Sequence, residues 1–327
     1  MKKIIGLLIL ISIYFVLISE ESNIDPNFYD YGARAMAMGG AFTAISNTPV
    51  SLVWNPAGLS NLNKSHNLTF DNSSFLNLIS YNFFGYGCKL NENFSVASGG
   101  TYSGDDALSE MTIYFSGAFN GNYLLEKFPR FPPFLKRISF GMNVKYFGLF
   151  FGNNPDGEYI DENGLNHQVK GSANGFGIDL GMQADLSDVQ KIGLMWRNPI
   201  NNIWWKSENE VGTALGDYSE SYLAHLVFGY AFLKKNFIFS IDYDKSFHSD
   251  TEDEIKTGFE YTLFKIFSLR TGYSQELFTS ENKKLSFGTG FKLNIINNIT
   301  IDLDLAYQIF YVWEKHNVLR ISCNLMK

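Results

Sequence analysis

From His66 to the C-terminus, apolar and polar positions alternate with a period of two. Residues 299–312 show the pattern most plainly. Ile301, Leu303, Leu305, Tyr307, Ile309 and Tyr311 fall on one side of an extended chain, and Asp302, Asp304, Ala306 and Gln308 on the other. A helix would scatter those carboxylates around its surface, whereas a strand gathers them on one face. In residues 137–146, Ile138, Phe140, Met142, Val144 and Tyr146 alternate with Arg137, Ser139, Gly141, Asn143 and Lys145. Residues 237–244 and 284–293 repeat the arrangement.

Read this way, the chain carries strands over 66–77, 77–90, 93–104, 109–120, 137–148, 172–185, 190–200, 219–233, 237–247, 254–265, 266–276, 284–294, 299–312 and 317–327. Fourteen is an even number, as a closed bacterial membrane barrel requires. The connections alternate in length as well. Those at 91–92, 186–190, 234–236 and 294–298 are short, and those at 149–171 and 201–218 are long. Short periplasmic turns and longer external loops are the habit of such barrels. The connection at 121–136 is the exception, long and rich in Pro and Phe on the short-turn side. The expected fold is therefore all-β, a closed 14-stranded antiparallel transmembrane barrel. A soluble sandwich does not accommodate so many strands or so aromatic an outer face.

Composition sharpens this. Aromatic residues make up 16% of the chain and there are 29 Gly, yet mean hydropathy is −0.08. An apolar outer face averaged with a polar lumen gives such a value. After the N-terminus no run of 18 apolar residues occurs, which excludes a helical inner-membrane protein. The net charge of −7, without a basic tract, disfavours nucleic acid as a partner. Lys2 and Lys3 followed by the apolar run Ile4–Ile18 read as a signal peptide over residues 1–19. Cys88 and Cys323 fall on strands 2 and 14, separated by strand 1, or ~9–10 Å. A disulfide needs Cα atoms within ~7 Å, so both are expected to be free thiols.

Between the signal and the barrel (66–327) lies a segment, 20–65, that is too small to be a domain. A barrel of this width is wider than its side chains can fill, and the segment can fold back into it as a plug. Gly39-Gly40 permits close backbone approach or an unusual φ. Thr48-Pro49 and Asn55-Pro56 each read as a cap followed by Pro in a first helical turn, with Trp54 as the anchor between them.

The same segment carries a family resemblance. Gly32-Ala33-Arg34, Met38-Gly39-Gly40-Ala41-Phe42-Thr43-Ala44 and Trp54-Asn55-Pro56-Ala57-Gly58-Leu59 resemble the N-terminal plug of the long-chain fatty-acid transporter (FadL) superfamily of outer-membrane barrels. That superfamily includes the shorter PorV/PorQ-type proteins of type IX secretion. The resemblance implies fourteen strands, an outer-membrane location in a Gram-negative bacterium, and a ligand-binding or gating role for Arg34, Met38, Gly39, Gly40, Phe42, Trp54, Asn55 and Pro56.

Catalytic motifs do not emerge. The five His residues stand apart, and Ser219, Ser221 and His225 supply residue types without a recognisable spacing. Asp161-Glu162-Asn163-Gly164 lacks the ligand spacing of a calcium loop. Asp242, Asp244, Asp302 and Asp304 read as lumen carboxylates balanced by Arg270, Arg320 and Lys145. No enzyme activity, cofactor or metal is expected.

Two functions fit. The first is a PorV/PorQ-type barrel that receives exported protein cargo for surface attachment. The chain's length, the polar stretch 152–170 and the unusual 121–136 connection favour it. The alternative is a passive transporter of hydrophobic small molecules, with Trp204 and Trp205 on an external loop offering an apolar surface. Either way, outer-membrane lipids surround the barrel.

Overall fold

The computed structural model describes residues 30–75, 79–105, 107–152, 158–160, 166–209, 214–248, 251–277, 283–295, 298–312 and 314–327. The signal peptide and Asp161–Gly164 lie outside these residues. The strands are β1 (His66–Phe75), β2 (Ile79–Lys89), β3 (Phe94–Gly104), β4 (Leu108–Asn120), β5 (Ile138–Phe151), β6 (Glu158–Ile160), β7 (Asn166–Ser187), β8 (Gln190–Asn209), β9 (Ala214–Glu220), β10 (His225–Lys234), β11 (Phe237–Ser246), β12 (Glu254–Leu263), β13 (Phe267–Glu276), β14 (Lys283–Asn294), β15 (Thr300–Val312) and β16 (Glu314–Met326).

Every neighbouring pair is antiparallel, and β16 pairs with β1 from Asn67↔Met326 to Phe75↔Val318, which closes the ring. Fourteen strands form the wall. Among the described residues β6 pairs only with β7, and β9 only with β8, so both are additions to the long ends of wall strands. A closed ring leaves no unpaired edge, which removes the need for water at the strand backbones.

The period-two pattern sorts side chains as expected. On β15, Leu303, Leu305 and Tyr307 are exposed, while Asp304, Ala306 and Gln308 are buried. On β5, Met142, Val144 and Tyr146 face out, and Ser139, Asn143 and Lys145 are buried inside. A water-soluble protein has the opposite arrangement. Cys88 stands opposite His66 and Cys323 opposite Phe70, with β1 between them, and both are free.

The structure revises three boundaries. The strand expected at 219–233 breaks at 221–224, so that β9 ends at Glu220 and β10 begins at His225. Where they are described, the stretches expected as loops, 149–171 and 201–218, are largely strand. β7 and β8 run 22 and 20 residues, well beyond the other wall strands, and carry β9 as a third strand. Trp204 and Trp205 therefore sit on β8, opposite Asn174 and Ala173, and not on a loop. One face of this ribbon is buried, where Ala173 and Ile203 join Phe147, Leu149 and Tyr222 in an apolar cluster with Trp205 packed against it. The connection between β4 and β5 contains α1 (Asn122–Lys127) and a 3-10 turn (Pro133–Arg137), with no buried residue in either.

Candidate functional site

Residues 30–62 fold into α2 (Ala33–Ala37), α3 (Ser51–Trp54) and a 3-10 turn (Pro56–Asn61), and nearly all of them are buried. The second turn forms as its sequence suggests. Asn55 is extended, its side-chain oxygen accepts from the Ala57 amide, and Pro56 takes the first position. Thr48 does not cap α3. Val50 occupies that position with helical angles, and Thr48 and Pro49 contribute only their carbonyls, to the amides of Ser51 and Leu52.

Inward polar side chains of the wall hold this segment at points around the ring. On β12 and β13, Arg34 Nε donates to Glu260 Oε2 at 2.8 Å, and Arg270 Nε reaches the same oxygen at 2.6 Å. Arg270 Nη1 then meets Asp304 of β15 at 2.7 Å. On β16 and β1, the Ala33 amide donates to Ser322 Oγ, whose hydroxyl bonds to Asp71, and Arg320 pairs with the same carboxylate. On β11, Asp242 Oδ2 accepts the amides of Phe42 and Thr43 at 3.0 and 2.9 Å. On β5, Asn143 Nδ2 donates to the Leu52 carbonyl at 2.7 Å and also to Asp179, which pairs with Lys145. Gln183 of β7 donates to the carbonyls of Thr43 and Ser46. Short helical turns leave many backbone groups without intrahelical partners, and the wall satisfies them.

Where backbone meets backbone, the wall carries glycine. Gly258 faces Gly272 across β12 and β13, Gly193 faces Gly229 across β8 and β10, and Gly141 faces Gly181 across β5 and β7. A Cβ on Gly272 would lie 2.0 Å from the Gly39 amide nitrogen, one on Gly193 2.5 Å from the Thr43 carbonyl, and one on Gly141 2.3 Å from the Ala57 amide. Gly39 and Gly40 have φ of +65° and +78°, and Gly39 in turn presses on the Tyr273 amide.

The segment has its own core. Trp54 is 2% exposed, donates from Nε1 to the Tyr31 carbonyl at 2.8 Å, and meets Phe42 edge-on at 6.0 Å. The Arg34 guanidinium lies 5.4 Å from the Phe42 ring centre. Met38 is fully buried against Gly258, and Asn55 also donates to the carbonyls of Thr43, Met182 and Leu194. Arg34, Met38, Gly39, Gly40, Phe42, Trp54, Asn55 and Pro56 thus belong to one packed unit. Trp204 and Trp205 belong to another, on the β7–β9 ribbon. Trp204 lies 5.6 Å from Phe176, and Trp205 stacks on Tyr218 at 5.9 Å.

The lumen charges pair differently from the simplest expectation. Asp304 does meet Arg270, but Arg320 pairs with Asp71 and Lys145 with Asp179. Asp244 meets Lys256 and His225, and Asp242 serves backbone amides. Ser219 is on β9 opposite Trp204, away from this His–Asp pair on β10 and β11.

A cavity of about 870 Å³ opens on the outer wall at β1–β4 and β16. Phe70, Phe84, Tyr102, Met111 and Ile321 line it from the exposed face, and Phe83 and Thr101 from the buried one. Gly99 and Gly100 of β3 lie between, leaving the wall without side chains there. The Phe83 ring is 6.3 Å from that of Tyr31, in the N-terminal segment.

Solved structures share this architecture. The CymD monoaromatic hydrocarbon channel aligns over 91% of this chain and 97% of its own, with a TM-score of 0.63 and 14% identity. The Ralstonia pickettii toluene transporter TbuX aligns over 91% and 98%, with a TM-score of 0.60 and 15% identity. The fold is that of these channels. A Pseudomonas aeruginosa FadL homologue has it too, over 91% and 98%, at a TM-score of 0.59 and 10% identity. No protein-family model and no curated protein matches the sequence. The likeness agrees with the resemblance of residues 32–59 at the level of fold and lends no support to the PorV/PorQ branch.

Proposed function

We propose that the protein is an outer-membrane channel for hydrophobic small molecules, not an enzyme, and that residues 20–65 are its plug. This reverses the order in which the sequence ranks its two functions. The observation that carries it is the apolar hollow on the outer wall at Gly99 and Gly100, whose lining includes outward aromatics and the inward Phe83, itself packed on Tyr31 of the N-terminal segment. The paired strands there are unbroken, so an apolar solute leaving the plug region would reach lipid, without meeting water, by parting them at Gly99 and Gly100, where the wall carries no side chain. Apolar lining with few polar groups is what such a ligand needs. The monoaromatic channels of the same fold support the choice of solute.

The test is uptake of toluene and of a long-chain fatty acid by vesicles carrying the folded protein. Ser98→Trp, which fills the cavity, is expected to cut uptake several-fold without changing folded yield. Uptake equal to that of protein-free vesicles would remove the proposal. The protein-export reading rests on length, on 121–136 and on the polar stretch 152–170, most of which lies outside the described residues. Retention of an exported protein on the purified barrel would restore it.

A further inference from the structure

The connection between β4 and β5 has no part in the channel reading, yet its chemistry is distinctive. Residues 121–137 carry four cations, Lys127, Arg130, Lys136 and Arg137, against the single acid Glu126. The whole chain, by contrast, has a net charge of −7. Among these cations stand Phe128, Phe131 and Phe134, at 54%, 43% and 62% exposure. The piece is folded: α1 starts from Gly121, whose amide bonds to the Ile138 carbonyl, and Tyr123 packs on Phe94 at 4.5 Å. Three exposed Phe on an ordered segment are not explained by packing within the chain.

Other short turns at the same end of the barrel repeat the combination. Leu90 follows Lys89 at the end of β2 and is 62% exposed. The β12–β13 turn is more telling. It is closed by the Ile266 amide on the Leu263 carbonyl, and its central residues, Phe264 and Lys265, have φ of +52° and +62°. Such a turn favours Gly or Asn. A bulky aromatic there is strained, and Phe264 is 86% exposed. Phe264 therefore gains nothing inside the molecule that would offset that strain.

We infer that this end of the barrel is a cationic, aromatic collar that binds anionic phospholipid headgroups, with 121–137 as its principal anchor. The inference rests on the membrane reading above. Short turns mark the end as periplasmic, so the collar meets the inner leaflet of the outer membrane. Aromatic rings at headgroup level with flanking Lys and Arg are the pattern of an interfacial anchor, and the charge selects anionic lipid. The partner is thus a lipid surface continuous with the apolar wall, not a soluble protein.

The experiment takes the mature chain, reconstituted in phosphatidylcholine mixed with phosphatidylglycerol, then gently extracted. Native mass spectrometry reads the lipids that stay bound. Phosphatidylglycerol is expected to be enriched several-fold over the bulk mixture, less so at high salt. The combined variant Lys127→Gln, Arg130→Gln, Lys136→Gln, Arg137→Gln should return the ratio to that of the bulk. A nitroxide at Phe131→Cys, in a Cys88→Ala, Cys323→Ala background, should report membrane burial by its greater accessibility to oxygen than to a water-soluble nickel complex. Bulk lipid ratios in the wild type, or enrichment that survives the quadruple variant, would overturn the inference while leaving the barrel intact. A spin label in water would do the same, as would a bound polypeptide in place of lipid in material from native membranes. Failure of the wild type to fold into vesicles, read by gel mobility with and without heating, would instead refute the membrane reading beneath it.

Discussion

Two kinds of residue hold the N-terminal segment in place, and they fail differently. Arg320 and Asp71 are a buried pair whose side chains are 2% and 0% exposed. Removing one partner strands the other, which costs about 3–5 kcal/mol, whereas replacing both with apolar residues is often close to neutral. Arg320→Leu should thus lower stability in a urea titration of the detergent-folded barrel by about that amount. Asp71→Leu with Arg320→Leu should recover most of it, and a double variant as unstable as the single would refute the pairing. Glycine acts by absence. At Gly272 an added Cβ meets backbone that has no room to give, so Gly272→Val should displace the segment at a cost of about 1–3 kcal/mol or more. Limited trypsin digestion should then cut at Arg34, while the barrel keeps its heat-dependent gel mobility. Gly117→Val is the control, since a Cβ there has nothing within 4 Å. Equal trypsin sensitivity in both variants would show that these glycines do not seat the segment.

At the scale of elements, the wall was legible because a two-faced strand writes its environment into every second residue. Asp302, Asp304 and Gln308 point inward as their spacing requires. The ribbon of β7–β9 was not legible, since residues 201–209 (NNIWWKSEN) do not alternate apolar with polar side chains. The N-terminal segment stood out in the sequence as a separate piece, but its contacts did not. Asp242, Glu260 and Gln183 look like any lumen polar residue until the backbone amides and carbonyls they serve are in view. The facing glycines did have a signal: Gly141, Gly181, Gly193 and Gly258 all occupy inward positions, where a barrel otherwise places polar side chains. Within the segment, Trp54 ties α3 to Tyr31 and Phe42. Trp54→Ala should cost about 3–5 kcal/mol, and Trp54→Phe, which keeps most of the packing and loses one hydrogen bond, about 1 kcal/mol. Urea titration checks the order; equal losses would mean that the indole nitrogen, not the ring, carries the anchoring.

For the whole molecule, the question is whether the segment closes the barrel or merely braces it. Wall strands bond to one another all the way round, from β1 to β16 and back. Those bonds do not depend on residues 32–59, so a chain lacking them should still close. What it would lose is occupancy of the interior, together with partners for Glu260, Asp242, Asn143 and Gln183. Unlike a dry core, a lumen of polar side chains can exchange those partners for water, so the loss is tolerable for the barrel and fatal for the seal. Deleting residues 32–59 should therefore yield a barrel that still migrates differently on gels before and after heating. Planar-bilayer recordings should show a steady ionic conductance where the full chain shows little. The Trp54→Ala variant should fall between, with intermittent openings as the segment loosens. If instead the deletion fails to accumulate as folded barrel, the segment is a structural brace, and the gating role of Arg34, Phe42 and Trp54 falls with it. A folded deletion variant with no conductance would be equally damaging, because the lumen would then be sealed by something other than residues 32–59.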